Sequence, residues 1–463
     1  MKILLNLPFK PEAFFCSAKL MVFVLLLGNL VGCDALSRLH SKNKVEVKGE
    51  RISALAQPAI QGVEEQLHPQ DYSKIVPQNV QSVDSSIGVD SIKYPNILLP
   101  DTLKQFQQFS IGTTTRLSGV TSPIVSDDKL IMLDTYGKIN AYSITNRKML
   151  WSNSFFYNLT HKGRFSGSTY NLGGMLHTNG VIYATGGLNT VIALNAEDGR
   201  LLWSREIFSM TRATPVLHKN ILLIQGLDNS LYALHSETGA VVWYYLGNKG
   251  EMSITTTTAP VVNNNKVIFT SSAGEIIALD IADGSEVWSY DVAMNISGVG
   301  VQRHVYDVVH QTLMDGKMLI TYGNDGAVMA LDAGTGIPIW RRALYVNRPI
   351  WSYGDLLIGI TEYKQLVAFS KLSGKTRWVV DLSAHLTDSK LSKKEKSGVV
   401  WMQPIVTNGN IMLVNSVGQL LKFGIGDGSL VSIQPVLSGV YNPPIVSNGS
   451  LFLISSAIIA QYK

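Results

Sequence analysis

Between residues 139 and 431 one short pattern recurs seven times, which confines the chain to architectures in which each unit packs mainly on its neighbours. The clearest copy, GAVMALDAGTGIPIW at residues 326–340, alternates apolar and polar residues, turns at Thr-Gly and ends on a tryptophan. VIALNAEDGRLLW ends at Trp203, LYALHSETGAVVW at Trp243, IIALDIADGSEVW at Trp288 and LVAFSKLSGKTRW at Trp378. INAYSITNRKMLW ends at Trp151, with Asn146 expected where the turn glycine sits elsewhere, and LLKFGIGDGSLV has Val431 in place of the tryptophan. Successive repeat tryptophans lie 52, 40, 45, 52 and 38 residues apart, room for four short antiparallel strands.

A proline before an apolar run marks the start of most units: Pro123, Pro215, Pro260, Pro404 and Pro444. The unit opened by Pro444 lacks a complete hairpin, so a strand near 106–111 is expected to pair into it and close the ring. The predicted fold is all-β: an eight-bladed propeller of four-stranded antiparallel blades over residues 106–463, closed by an N-terminal strand. The turn aspartates and glycines are expected to serve the left-handed backbone of a tight hairpin, and the tryptophans to pack between blades. The glycine-rich stretch 424–428 follows a strand without opening a helix, so it reads as one more turn and not as a phosphate loop.

Upstream, Lys2, Lys10 and Lys19 precede the uncharged run 20–32, too short to span a bilayer, and the segment reads as a secretion signal over residues 1–32. Its end, Leu30-Val31-Gly32-Cys33, resembles the lipobox of bacterial lipoproteins, which implies acylation of Cys33. Cleavage there removes Cys16, so no disulfide is available to the mature chain, and lowers the formal net charge from +5 to +3. Residues 33–105 lack sustained apolar periodicity and are expected to form a flexible tether. Charges are scattered, without the basic stripe that nucleic acid requires.

The pattern ALD-x2-TG-x3-W resembles the PQQ-like repeat of quinoprotein dehydrogenases, and no Trp-Asp dipeptide of the WD40 type occurs. A lipobox followed by about eight such blades resembles the BamB family of outer-membrane assembly lipoproteins. That resemblance covers about 76% of the chain. It implies a non-enzymatic scaffold with no cofactor, metal or small-molecule substrate, anchored at the outer membrane and facing the periplasm. Its partners would be a BamA-like barrel-inserting subunit and nascent outer-membrane proteins. Two family stretches carry over by position. The first places Met252, Ile254 and Thr255 before Ala259-Pro260, with Thr255 where the family has arginine. The second places Tyr306-Asp307-Val308 where the family has Asp-Val-Asp. Met252 and Ile254 read equally well as buried blade positions, and Asp307 as a solvated loop charge.

Weaker contact candidates are the polar stretches 158–170, with Lys162 and Arg164, and 384–397, with Lys393, Lys394 and Lys396. The enzyme alternative is a PQQ-dependent dehydrogenase, for which neither an adjacent cysteine pair nor a calcium-type carboxylate set is visible. His304 and His310 read as polar positions on a connection between blades. Asp34, directly after Cys33, raises a third reading, a scaffold tethered at the inner membrane.

Overall fold

The computed structural model describes residues 60, 63–64, 96–110, 122–134, 136–161, 173–248, 258–292, 312–323, 326–386, 392, 397–455 and 458–463. The chain divides into two units, Met1–Pro58 and Ala59–Lys463, and every described residue belongs to the second. These residues form eight four-stranded antiparallel sheets, the blades of a propeller. Blades 1 to 7 span 124–153, 175–206, 216–246, 261–291, 313–343, 351–381 and 405–435, each with its strands in chain order. Blade 8 takes three strands from Ile445–Ser447, Ser450–Ile454 and Ile458–Tyr462, and its outer strand from Gln105–Ser110. That upstream strand pairs antiparallel with Ile458–Tyr462 and closes the ring as expected.

The packing follows from the repeat. Second and third strands are covered on both faces by neighbouring blades, so Val191, Ile192, Ala193 and Leu194 are all fully buried. The apolar/polar alternation read from the sequence is clear in outer strands such as Leu201–Glu206. Each junction between adjacent blades contributes to a cluster of buried apolar side chains, including the junction between blades 8 and 1, where Phe109, Val125, Ile445 and Phe452 meet.

From blade 1 to blade 7 one contact repeats at every junction. The indole nitrogen of Trp151, Trp203, Trp243, Trp288, Trp340 or Trp378 donates to a backbone carbonyl in the next blade's outer turn, at 2.8–3.3 Å. The same ring lies against the turn glycine, so close that an added Cβ at Gly199, Gly239, Gly284, Gly336, Gly374 or Gly428 would fall 2.4–2.8 Å from a ring carbon. The glycine therefore has two causes, a left-handed φ near +70° and the ring behind it.

The two junctions of blade 8 depart from this. Its third and outer strands come from distant parts of the chain, so it has no connecting turn to set against blade 7, where Ser432, one place beyond the expected Val431, pairs with Lys422 and stands in place of tryptophan. Residues 96–104, expected in the tether, fill that junction instead. Ile97, Leu99 and Leu103 are buried with the core of blades 6 to 8. Ile97 exchanges backbone hydrogen bonds with Val406 and Asn408, and the Lys422 ammonium donates to the carbonyls of Pro100 and Asp101. Lys422 occupies the position that other blades fill with a buried alanine such as Ala193 or Ala368. Burial lowers its pKa, with Asp101 opposing that effect. Further upstream, Ile60 and Glu64 hydrogen-bond to Gln365 and Thr376 of blade 6.

At the junction of blades 8 and 1, the residue in the glycine position is Arg147 at φ 57°, one place beyond the Asn146 expected there. The tryptophan's place on the outer strand belongs to Gln107, which pairs with Gln461. The Gln107 amide donates to Ile144 O at 3.1 Å, reproducing the indole's bond, and its oxygen accepts from Arg147 Nε at 3.1 Å.

Two glycines with similar φ separate the causes of the turn glycine. Gly180 has nothing within 4 Å of an added Cβ, whereas Gly239 has the Trp203 ring at 2.5 Å. Gly180→Ala is expected to cost about 1–2 kcal/mol for the left-handed backbone alone. Gly239→Ala adds an overpacking cost of about 1–3 kcal/mol. Urea unfolding midpoints of the two variants check the difference.

Candidate functional site

The residues singled out as partner contacts sit on connections between blades. Segment 247–260 joins the outer strand of blade 3 to the inner strand of blade 4, and 292–312 joins blades 4 and 5. All inner strands of a propeller run in the same sense along its axis, so such connections emerge on one face and are presented by a rigid ring. Met252, Ile254, Thr255, Tyr306, Asp307 and the expected lipid-bearing Cys33 lie outside the described residues, as do His304, His310, Lys162, Arg164, Lys393, Lys394 and Lys396. The segment expected as a loop from residue 158 continues a short helix, α1 (Phe155–His161), whose Phe156 is buried with the core of blades 1 and 2.

The base of the first connection is described, and it is stitched to two blades. Asn229, in a turn of blade 3, donates through its side-chain amide to Asn248 O at 2.7 Å. Its side-chain oxygen accepts from the backbone N–H and hydroxyl of Ser272 in blade 4, at 2.8 and 3.0 Å. Asn248 in turn donates to Glu275 at 2.8 Å. At the other end, Thr258 and Thr270 share a hydroxyl hydrogen bond of 3.0 Å, and Gln225 Nε2 donates to Thr270 O at 2.6 Å. Both ends of the connection are therefore fixed by buried or half-buried polar contacts across the junction of blades 3 and 4, where a lost partner is costly.

Beside that base lies an exposed apolar surface that sequence reasoning missed. Phe208, in the connection from blade 2 to blade 3, is 87% exposed, and its ring centroid lies 6.3 Å from that of Tyr244 on the outer strand of blade 3. Tyr244 stacks on buried Tyr232, which holds it in place. Val242, Tyr244 and Leu246 share the outward side of that strand, and Leu246, 62% exposed, ends where the candidate connection begins. Met210 extends the exposed apolar set. The sequence signal was the run Ile207-Phe208-Ser209-Met210, an apolar stretch within a connection where turn residues are the norm.

Between blades 3 and 4 the Tyr245 hydroxyl donates to Glu286 at 3.0 Å. Burial, with Glu286 adding to it, pushes this phenol up to about 12. A folded-state value above the ordinary 10 contributes stability that is present below pH 10 and lost as the pH rises towards 12. Glu286→Gln is expected to bring the Tyr245 titration down, and the 295 nm absorbance difference against Tyr245→Phe measures it. Asn229→Ala removes three hydrogen bonds, and we expect about 1–3 kcal/mol of lost stability. Faster amide hydrogen exchange at Asn248 and Ser272 is the local sign.

Comparison with known proteins places this geometry. A family model described as outer membrane protein assembly factor BamB matches residues 162–380. An uncharacterized protein of Rickettsia conorii is 27% identical over 333 residues, 71% of this chain and 78% of that protein. The outer membrane protein assembly factor BamB of Yersinia pestis is 23% identical over 366 residues, 77% of this chain and 88% of its own length. The crystal structure of BamB from Moraxella catarrhalis matches with a TM-score of 0.61 at 18% identity, covering 78% of this chain and 100% of that one. This chain is a BamB-like PQQ-repeat propeller. The fold extends to the quinohemoprotein alcohol dehydrogenase of Comamonas testosteroni, with a TM-score of 0.58 at 13% identity over 85% of this chain and 79% of the enzyme. In the BamB-like propeller, among the described residues, no three His, Cys, Asp or Glu side chains converge as a metal-holding group.

Proposed function

We propose that this BamB-like propeller is a non-enzymatic scaffold of outer-membrane protein assembly, anchored by a lipid on Cys33 and facing the periplasm. The observation that carries the reading is the exposed set Phe208, Tyr244 and Leu246 beside the stitched base of the 249–257 connection. A rigid ring that displays an aromatic and aliphatic surface next to a fixed loop is built to hold a polypeptide. Met252, Ile254 and Thr255 would extend that surface, and Tyr306 and Asp307 would meet the same partner, the BamA-like barrel-inserting subunit, from the neighbouring connection. The family match and the Yersinia and Moraxella relatives support the assembly role.

The scaffold and the quinone-dependent dehydrogenase make different demands. A quinone enzyme of this fold needs a cation site of Glu, Asn and Asp donors around the cofactor. The scaffold needs only surface and anchor. Adding quinone and calcium to the pure protein separates them, because a shifted quinone absorbance would favour the enzyme.

Affinity purification from separated, detergent-solubilised membranes tests the proposal directly. A barrel-assembly subunit is expected with the outer fraction, and its recovery should fall at least tenfold for Tyr244→Ser combined with Phe208→Ser. Cys33→Ala should move the protein out of the membrane fraction, since a multiply acylated cysteine anchors through many buried methylenes at about 0.8 kcal/mol each. Recovery from the inner membrane without such a subunit would favour the Asp34-directed alternative.

A further inference from the structure

The junction of blades 8 and 1 contains a cavity of about 550 Å³, lined by Phe106, Gln107, Asp127, Arg147, Phe452 and Lys463 among others. Its origin lies in the repeat. At the six junctions from blade 1 to blade 7, a tryptophan ring fills the corresponding place between an outer strand and the next blade's turn. Here the ring's two partners are both changed: Gln107 holds the tryptophan position, and Arg147 holds the glycine position. Gln107 supplies the hydrogen bond to Ile144 O that the indole makes elsewhere, and the Arg147 side chain stands where the other turns have glycine. No indole enters this junction, and the cavity opens beside the changed pair.

The lining is chemically matched to a ring. Lys463 Nζ already sits 3.9 Å from the centroid of the Phe106 ring, a cation–π contact at the wall. Arg147 donates its Nε to Gln107 and its side chain is exposed, and Asp127 is a carboxylate able to accept an N–H or O–H. Phe452 supplies apolar wall. Two cations suit the negative face of an aromatic ring, and a carboxylate suits its polar tip.

We propose that this cavity is a socket for the indole or phenol ring of a tryptophan or tyrosine carried by a partner polypeptide, at the junction of blades 8 and 1, where the chain places no indole of its own. The site is separate from the connections between blades, because it is bordered by the turns that carry Asp127 and Arg147, at the opposite end of the strands. It therefore stands or falls independently of the scaffold reading.

The probe is N-acetyl-tryptophanamide, titrated calorimetrically into the full chain, with N-acetyl-alaninamide as control. Saturable one-to-one binding of the tryptophan derivative alone is expected. The double variant Gln107→Trp/Arg147→Gly restores the repeat's own pair, and it should weaken binding at least tenfold while raising the thermal midpoint. A second measurement does not depend on that variant folding. Irradiation with N-acetyl-p-benzoylphenylalaninamide should give adducts within 105–110, 144–147 or 447–463, competed away by the tryptophan derivative. The absence of saturable binding, equal binding of the control, or adducts only elsewhere would each overturn the proposal.

Discussion

The structure rests on one contact made six times: an indole ring that donates its N–H to the next blade's turn and lies flat against that turn's glycine. Its two halves belong to different blades, so neither a blade alone nor its sequence repeat alone completes it. That is the physical form of nearest-neighbour stability in a repeat protein. It also explains why tryptophan and glycine recur together although 31–47 residues separate the bonded partners.

Ring closure puts a limit on that device. A propeller whose last blade is assembled from both regions of the chain lacks one covalent turn, and the junction that would have used the turn must be filled otherwise. The filling is residues 96–104, with Leu103 and Ile97 as apolar bulk and Lys422 as a cation holding the backbone carbonyls of Pro100 and Asp101. Lysine at a position that is alanine in other blades makes sense only with that strap in place. Covered by the strap, its ammonium finds acceptors in the strap's own carbonyls and so avoids the cost of an unpaired buried charge.

The repeat made the architecture legible, because tryptophan spacing and the incomplete last unit fix both blade number and closure by an upstream strand. Three things were not legible, each for a stated cause. Arg147, and not Asn146, holds the glycine's place because the turn is counted from Ser143, whose carbonyl accepts the Arg147 N–H as Asn195 O accepts from Gly199. The strap was invisible because its apolar residues at 97, 99 and 103 are too few to show a period. Phe208 and Tyr244 were missed because the alternation of an outer strand says which residues point outward, not which outward residues gather into a surface. Of the candidate site, the sequence located the connections, while the hydrogen bonds of Asn229 and Asn248 that fix one of them span blades and leave no local pattern.

The docked upstream residues bear on how an anchored propeller would be held. A tether running from 33 to 105 would extend to about 250 Å at ~3.5 Å per residue. Among the described residues Ile60 already contacts Gln365, and the proposed anchor at Cys33 lies 27 steps ahead of it, a limit of about 95 Å by the same measure. The contacts also choose a side. Residues 60 and 64 bind blade 6 and residues 96–104 bind blade 7, and in a ring of eight these blades lie across from blades 2 and 3. Phe208 and Tyr244 belong to that far side, so the docked residues 60, 64 and 96–104 leave the exposed aromatic surface uncovered.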